Sequence, residues 1–328
     1  MQSKNYFFTM TRKIFGFFIF IHFLSCTTGY KQQEYSDMED PNQEKLYLSK
    51  PFTQNSEFTT GIEGPAFGSD GILYVVNYEK AGTIGKVSPE GVVSLFIDLP
   101  EGSTGNGIRF DSKGNMLIAD YTGHNILKVN MKSKAISVHA NNDQMNQPND
   151  IAIMDNDIIF ASDPNWKNNT GKLWRIDLDG STHLLENEMG TTNGIEVSPD
   201  NSRLYVNESV QRKVWVYDLS EVGEISNKRL LIEFDDFGMD GMRADANGNL
   251  YITRHGKGTV VKISPEGEIL HEIAVSGKKP SNIAFGGGDG KTAFVTLQDN
   301  GNIDCFRVEF PGREFISSLQ AGNILMDE

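Results

Sequence analysis

The sequence predicts an all-β protein: a six-bladed β-propeller with four-stranded blades around a central metal-binding channel. Two observations carry this expectation. One unit recurs six times along the 328 residues, and each copy reads as a short strand, a tight turn and a returning strand. The copies begin at Glu63, Asn106, Asn149, Asn193, Asp240 and Asn282, spaced 43, 43, 44, 47 and 42 residues apart. A fixed period of that length, with four short strands and no helical pattern, describes a propeller blade. A β-sandwich is the alternative, but nothing in a sandwich requires a fixed period.

The elements of each unit follow from local chemistry. After the opening residues comes a turn rich in Asp, Asn and Gly, such as Ser69-Asp70-Gly71, Asp111-Ser112-Lys113-Gly114 or Asp245-Ala246-Asn247-Gly248. These residues bond their own backbone or accept left-handed geometry. An alternating or β-branched run then returns, as in Leu73-Tyr74-Val75-Val76 and Leu250-Tyr251-Ile252-Thr253. A third strand usually follows (Leu173-Trp174-Arg175-Ile176, Val214-Trp215-Val216-Tyr217), and turns such as Ser264-Pro265-Glu266-Gly267 lead to a fourth. The propeller is expected over 56–320, with 321–328 as a C-terminal tail.

The first residues read as an address. Residues 1–25 carry Lys4, Arg12 and Lys13 and no acid, and the apolar run Ile14–Ile21 is too short to span a bilayer. The segment ends Leu24-Ser25-Cys26, which resembles a bacterial lipobox and implies a signal peptide cleaved before a lipidated Cys26; an ordinary cleaved signal is the alternative. Residues 26–55 are polar and read as a tether. The expected location is the bacterial cell envelope, lipid-anchored in the periplasm or outer membrane, with the anchor as the only membrane contact.

Composition narrows the partners. The net charge is −14 and no basic cluster lies outside the leader, which argues against nucleic acid. With two cysteines, Cys26 and Cys305, neither a disulfide framework nor a zinc spacing is present; Cys305 sits in an apolar-alternating run and reads as buried. There is no Gly-x-Ser-x-Gly elbow, P-loop or dinucleotide fingerprint. A propeller closes on itself, so a monomer is expected.

The opening slot of the repeat carries the chemistry. In a propeller the first strand of every blade lies nearest the axis, so Glu63, Asn106, Asn149, Asn193, Asp240 and Asn282 form a ring at one depth. Converging carboxylates repel and buried amides need partners. A cation answers both, and an all-oxygen donor set favours Ca²⁺, with Mg²⁺ or Zn²⁺ as other divalent candidates. The competing reading is a solvated channel in which the Asn side chains bond neighbouring strands. A second polar ring is expected where the returning strands end, at Asn77, Asp120, Asp163, Glu208, Arg254 and Gln298, walling the pocket or orienting the ligands. His255 reaches the same opening.

The segments Gln147-Pro148-Asn149-Asp150-Ile151, Ser162-Asp163-Pro164, Thr192-Asn193-Gly194 through Ser198-Pro199-Asp200, Met239-Asp240-Gly241-Met242 and Pro280-Ser281-Asn282, in this order, resemble the gluconolactonase/regucalcin family over about residues 58–310. The resemblance implies a six-bladed propeller with one divalent metal in its central pocket, held by Glu63, Asn149, Asn193 and Asp240. It makes Asp240 the proton donor and acceptor, and Asn149 a metal ligand or a substrate contact. Regucalcin-like members hold the sugar with an Arg two residues before the third-blade Asn; here that residue is Gln147. The expected activity is metal-dependent hydrolysis of a small lactone or sugar-derived substrate, with Asn106, Gln147, Asn149, Asp163 and His255 as substrate contacts. A non-catalytic surface propeller that binds a sugar or protein, or a related organophosphate or ester hydrolase, is the alternative.

Overall fold

The computed structural model describes residues 45–326, with side chains through 320. The expected signal peptide, Cys26 and tether residues 26–44 lie outside the described residues. Within them the architecture is the expected ring of six four-stranded antiparallel sheets. Five blades are built in strict chain order, over 58–98, 105–141, 151–189, 192–233 and 242–274. The sixth uses three consecutive strands, Pro280–Gly286, Thr292–Leu297 and Asn302–Arg307, and takes its outermost strand from Lys50–Pro51 at the other end of the domain.

That closing strand falls inside the segment expected to be tether. Lys50 pairs with Cys305 and Pro51 with Asp304, and Phe52 packs edge-on against Phe294 with ring centroids 4.9 Å apart. The sequence could not show this, because two residues have no period. Proline also argues against a strand, except at an edge where no N–H is needed, which is the place Pro51 occupies. The propeller boundary therefore moves back from 56 to at least 50.

The hydrophobic cores lie between blades. Six separate clusters fill the six seams, each drawing on two neighbouring sheets. Between blades 1 and 2, for example, Tyr74, Val76 and Ile84 meet Ile108, Ile118 and Leu127. Each fully buried aliphatic side chain of this kind contributes about 1.5–3 kcal/mol. The last seam joins Phe58, Ile62 and Val75 of blade 1 to Ala284, Phe294, Ile303 and the buried Cys305 of blade 6.

The second departure is at the C-terminus. Arg313–Met326 is an α-helix, where the sequence reading ran the propeller to 320 and then a tail. Its first turn is fastened to the ring. Arg313 is buried and donates to Asp155 and Asn201 on blades 3 and 4, each at 3.2 Å. No helix among the described residues is long and apolar enough to cross a membrane.

Candidate functional site

The innermost strands of adjacent blades touch through their backbones. Gly107 donates to the Asn149 carbonyl at 2.8 Å, and Gly194 to the Asp240 carbonyl at 3.1 Å. The residue after the slot is glycine in four of the six copies because the next blade leaves no room for a side chain. At Gly64, with φ +53°, a Cβ would lie 1.8 Å from the Asn106 carbonyl oxygen; at Gly241 it would lie 2.1 Å from the Asn282 amide. Local register shifts accompany the slot in blades 1, 2, 4 and 6. A bulge of this kind re-aims the strand, so the slot side chain turns toward the axis.

Five of the six slot residues converge on one cavity of about 400 Å³: Glu63, Asn106, Asn149, Asn193 and Asp240 line it. The sixth, Asn282, is committed elsewhere. Its Nδ2 donates to Glu63 Oε2 at 3.0 Å and its Oδ1 accepts from the Ile283 amide at 2.9 Å. Gly64 N donates to the same Glu63 oxygen at 3.0 Å, so that oxygen is held and the other is left for the cavity.

The electrostatics of this floor are unfavourable for two anions. Burial raises the Glu63 carboxyl to about 7, with the charge of Asp150 adding to the rise against hydrogen bonds from Gly64 and Asn282. Asp240 is raised well above the ordinary carboxylate range, by burial first and by the Glu63 charge next. The Glu63 and Asn193 side chains both stand close to the Asp240 carboxyl, Glu63 adding to its rise and Asn193 opposing it. Meanwhile Asn106 Oδ1 is buried with no partner. Two carboxylates that cannot both ionise unaided, beside an orphaned amide oxygen, fit a hard divalent cation. Among the described residues no group of three His, Cys, Asp or Glu side chains is placed to hold a metal, so amide oxygens would have to complete the set.

The second polar ring is displaced from where the sequence reading put it. Asp163 does not line the cavity. It is buried, accepts the backbone amides of Asn146 and Gln147, and takes the Trp174 indole N–H at 2.9 Å. Asp120 accepts Ser103 Oγ and the Thr104 amide, Glu208 accepts the Gly190 amide, and Arg254 pairs with Asp236. Each clamps the loop that feeds the inner strand of its own blade. The cavity wall is instead made one residue later, by Tyr121, Ser209 and His255, together with Gln298 and Trp166. Successive strand residues face opposite ways, so an offset of one exchanges a loop clamp for a wall. Gln298, the last member of the expected ring, does reach the wall, because Leu297 ends that strand.

His255 lies where expected, on the wall, with Nε2 3.2 Å from Gln298 Oε1; burial lowers its pKa and keeps the ring neutral. Gln147 sits behind the wall. It and Trp166 stand beside the Tyr121 hydroxyl and oppose the rise that burial imposes on that phenol.

Below the cavity floor lies a set of charges that the sequence reading passed over. Arg109, Glu196 and Arg243 stand three residues after their slots, and Asp150 one after. All four are buried. Arg109 approaches Asp150 (3.5 Å), Glu196 (3.6 Å) and Glu314 of the C-terminal helix (2.5 Å), while Arg243 pairs with Asp150 at 3.2 Å. Arg313 reaches Glu196 at 3.6 Å. The buried guanidiniums are thus each matched by carboxylates, with exposed Asp155 as a further partner of Arg313, and such pairing is the condition for burying them. The signal was available: a charged residue in an otherwise apolar innermost strand.

The fold and the site together define a class: a six-bladed propeller with an oxygen-lined axial pocket above a network of buried, paired ions. Residues 62–299 match the family described as SMP-30/Gluconolactonase/LRE-like region, and the chain belongs to that family. A gluconolactonase of Zymomonas mobilis is 28% identical over 291 residues, covering 78% of this chain and 81% of its own. The solved structure of a calcium-binding protein, regucalcin, from Agrobacterium tumefaciens has a TM-score of 0.68 at 20% identity, covering 82% of this chain and 95% of its own. A gluconolactonase from Xanthomonas campestris gives 0.68 at 18% identity, covering 80% and 89%.

Proposed function

We propose that this protein hydrolyses a lactone, using a divalent cation held by Glu63, Asn149, Asn193 and Asp240, most consistent with Ca²⁺. The observation that carries the reading is the pair of raised carboxyls, Glu63 and Asp240, beside the unpartnered Asn106 Oδ1 on the cavity floor. Family membership and the gluconolactonase relatives support the reaction class. A bound cation in such a site polarises an ester carbonyl and stabilises the charge that develops on its oxygen.

The chain's own residues do the rest. Asp240, ionised when a cation is held beside it, takes a proton from the attacking water and returns it to the ring oxygen that leaves. Asn193 stands beside that carboxylate and favours its ionised form. Asn282 and Gly64 hold Glu63 in one orientation. Asn106 and Asn149 offer amide dipoles at the floor, to the cation or to the substrate, and His255 meets the substrate at the wall as a neutral ring.

The test is hydrolysis of a panel of five- and six-membered lactones by the wild type, by Asp240→Asn and by chelated protein. Hydrolysis that requires both Asp240 and a restored divalent ion is expected. Activity that survives complete metal removal would overturn the reading. The basic leader, the short apolar run and Leu24-Ser25-Cys26 support export and lipid attachment at Cys26, as a monomer tethered to the cell envelope.

A further inference from the structure

The cavity wall is asymmetric. Blades 2 and 3 contribute two aromatic side chains, Tyr121 and Trp166; blades 4, 5 and 6 contribute the small or amide-like groups Ser209, His255 and Gln298. Trp166 is 38% exposed, which places it at the rim where a ligand would meet it first. Both aromatics follow strands whose ends are clamped, Met116–Asp120 through Asp120 and Ile159–Asn165 through Asp163. Gln147 and Trp166 both stand beside the Tyr121 hydroxyl, so the three side chains form one cluster.

The wall also lacks a cation. Among the described residues that line the cavity there is no Lys or Arg, and the floor supplies two carboxylates. On the wall itself a carboxylate, phosphate or sulfonate of a substrate would therefore meet no Lys or Arg, and a divalent cation on the floor would already be matched by the two carboxylates that hold it. A pyranose or furanose ring instead presents a face of C–H groups that packs well on an aromatic side chain.

We propose that Tyr121 and Trp166, flanked by Gln147, form a specificity wall that selects an uncharged lactone with a C–H ring face and disfavours lactones bearing an anionic substituent. This deepens the lactonase reading and rests on it for its kinetic test. The wall binds the ring equally before and during reaction, so it acts on KM and leaves kcat nearly unchanged.

The experiment compares glucono-1,5-lactone with its 6-phosphate. Wild-type kcat/KM is expected to favour the neutral lactone by about tenfold or more, and Trp166→Ala to raise KM for it by about tenfold with kcat retained. Gln147→Arg places a guanidinium beside Tyr121 and is expected to narrow the preference by about tenfold. The clamp from Asp163 holds the backbone amide of residue 147 rather than its side chain, so this variant keeps the loop. An unchanged ratio in a Gln147→Arg protein that melts like wild type would overturn the proposal, as would equal wild-type turnover of both lactones. If no lactone is hydrolysed, the lactonase reading fails by itself, and the wall is then read by quenching of tryptophan fluorescence. Quenching by the neutral lactone alone, lost in Trp166→Phe, supports the wall; equal quenching by both lactones, or none by either, removes it.

Discussion

Asn282 donates its amide N–H to Glu63 Oε2 at 3.0 Å, across a sequence separation of 219 residues. The bond joins the last blade to the first, so the orientation of a floor carboxylate depends on the ring being closed. Residues that orient ligand side chains are typically worth 10–100-fold in metal affinity or activity. Asn282→Ala is expected to weaken Ca²⁺ binding by about tenfold or more, read by isothermal titration. Wild-type affinity in the variant would show that the contact does not position Glu63.

The floor carboxyls set a pH dependence whose sign can be worked out. In the folded chain Glu63 is raised to about 7, and Asp240 is raised as well. Each then binds its proton more tightly folded than unfolded. This contribution to stability is complete below the unfolded carboxylate range and is lost as pH rises through about 7. Chelated wild type should therefore lose thermal stability relative to chelated Glu63→Gln between about pH 5 and about pH 8. Ca²⁺ needs the ionised forms, so the rise in Tm it produces should grow over the same window. A calcium-induced rise that is the same at both ends would contradict the assignment.

Gly64 carries a steric prediction. With φ +53° and the Asn106 carbonyl 1.8 Å from a would-be Cβ, Gly64→Ala must move blade 1 against blade 2 or change the local backbone. A cost of about 3 kcal/mol or more is expected, visible as a lowered denaturation midpoint. Gly71, where a Cβ would meet nothing within 4 Å but φ is +74°, isolates the conformational part: Gly71→Ala should cost about 1–2 kcal/mol.

The C-terminal helix closes the charge balance under the site. Glu314 is held below its ordinary range: burial pushes it up, but Arg109, Arg243 and Arg313 together outweigh that. Removing one partner of a buried ion set strands the others, at about 3–5 kcal/mol. Glu314 keeps 29% side-chain exposure, so Glu314→Gln should fall at the low end of that range. Burial raises the Glu196 carboxyl despite its arginine neighbours, so Glu196→Gln, which gives up a charge the fold disfavours, should cost less than Glu314→Gln. Equal stability of both variants with wild type would show that the network does not support the fold.

Lipid attachment is tested at Cys26. Full-length protein made in a bacterial host with the lipoprotein machinery should incorporate labelled palmitate and partition with membranes. Cys26→Ala should do neither while keeping its lactonase activity. Membrane partition that persists in the variant would refute the anchor.

The repeat was legible because a blade is a local object. Strand alternation, Asp/Asn/Gly turns and a period near 43 residues are written within one stretch of chain, and they located the slot residues Glu63, Asn106, Asn149, Asn193 and Asp240 that meet in one cavity. The second ring was read one residue early. Direction alternates along a strand, and only the observed register shows that Asp120 and Asp163 turn into their loops while Tyr121 turns to the axis. The bearing of Arg109 and Glu196 depends on bulges that local alternation does not reveal, whereas Arg243 sits in a regular strand and was legible as a charge in an apolar run.

By itself, then, the sequence determined the number of blades, the depth of the slot and the oxygen character of the floor, all properties of a repeated local unit. Tertiary structure alone decided the rest. Closure by Lys50–Pro51, the seam bond from Asn282 to Glu63 and the docking of Arg313 and Glu314 beneath the axis join residues far apart in the chain. Such contacts exist only once loop closure has been offset by burial of the six seams, and no short-range pattern encodes them.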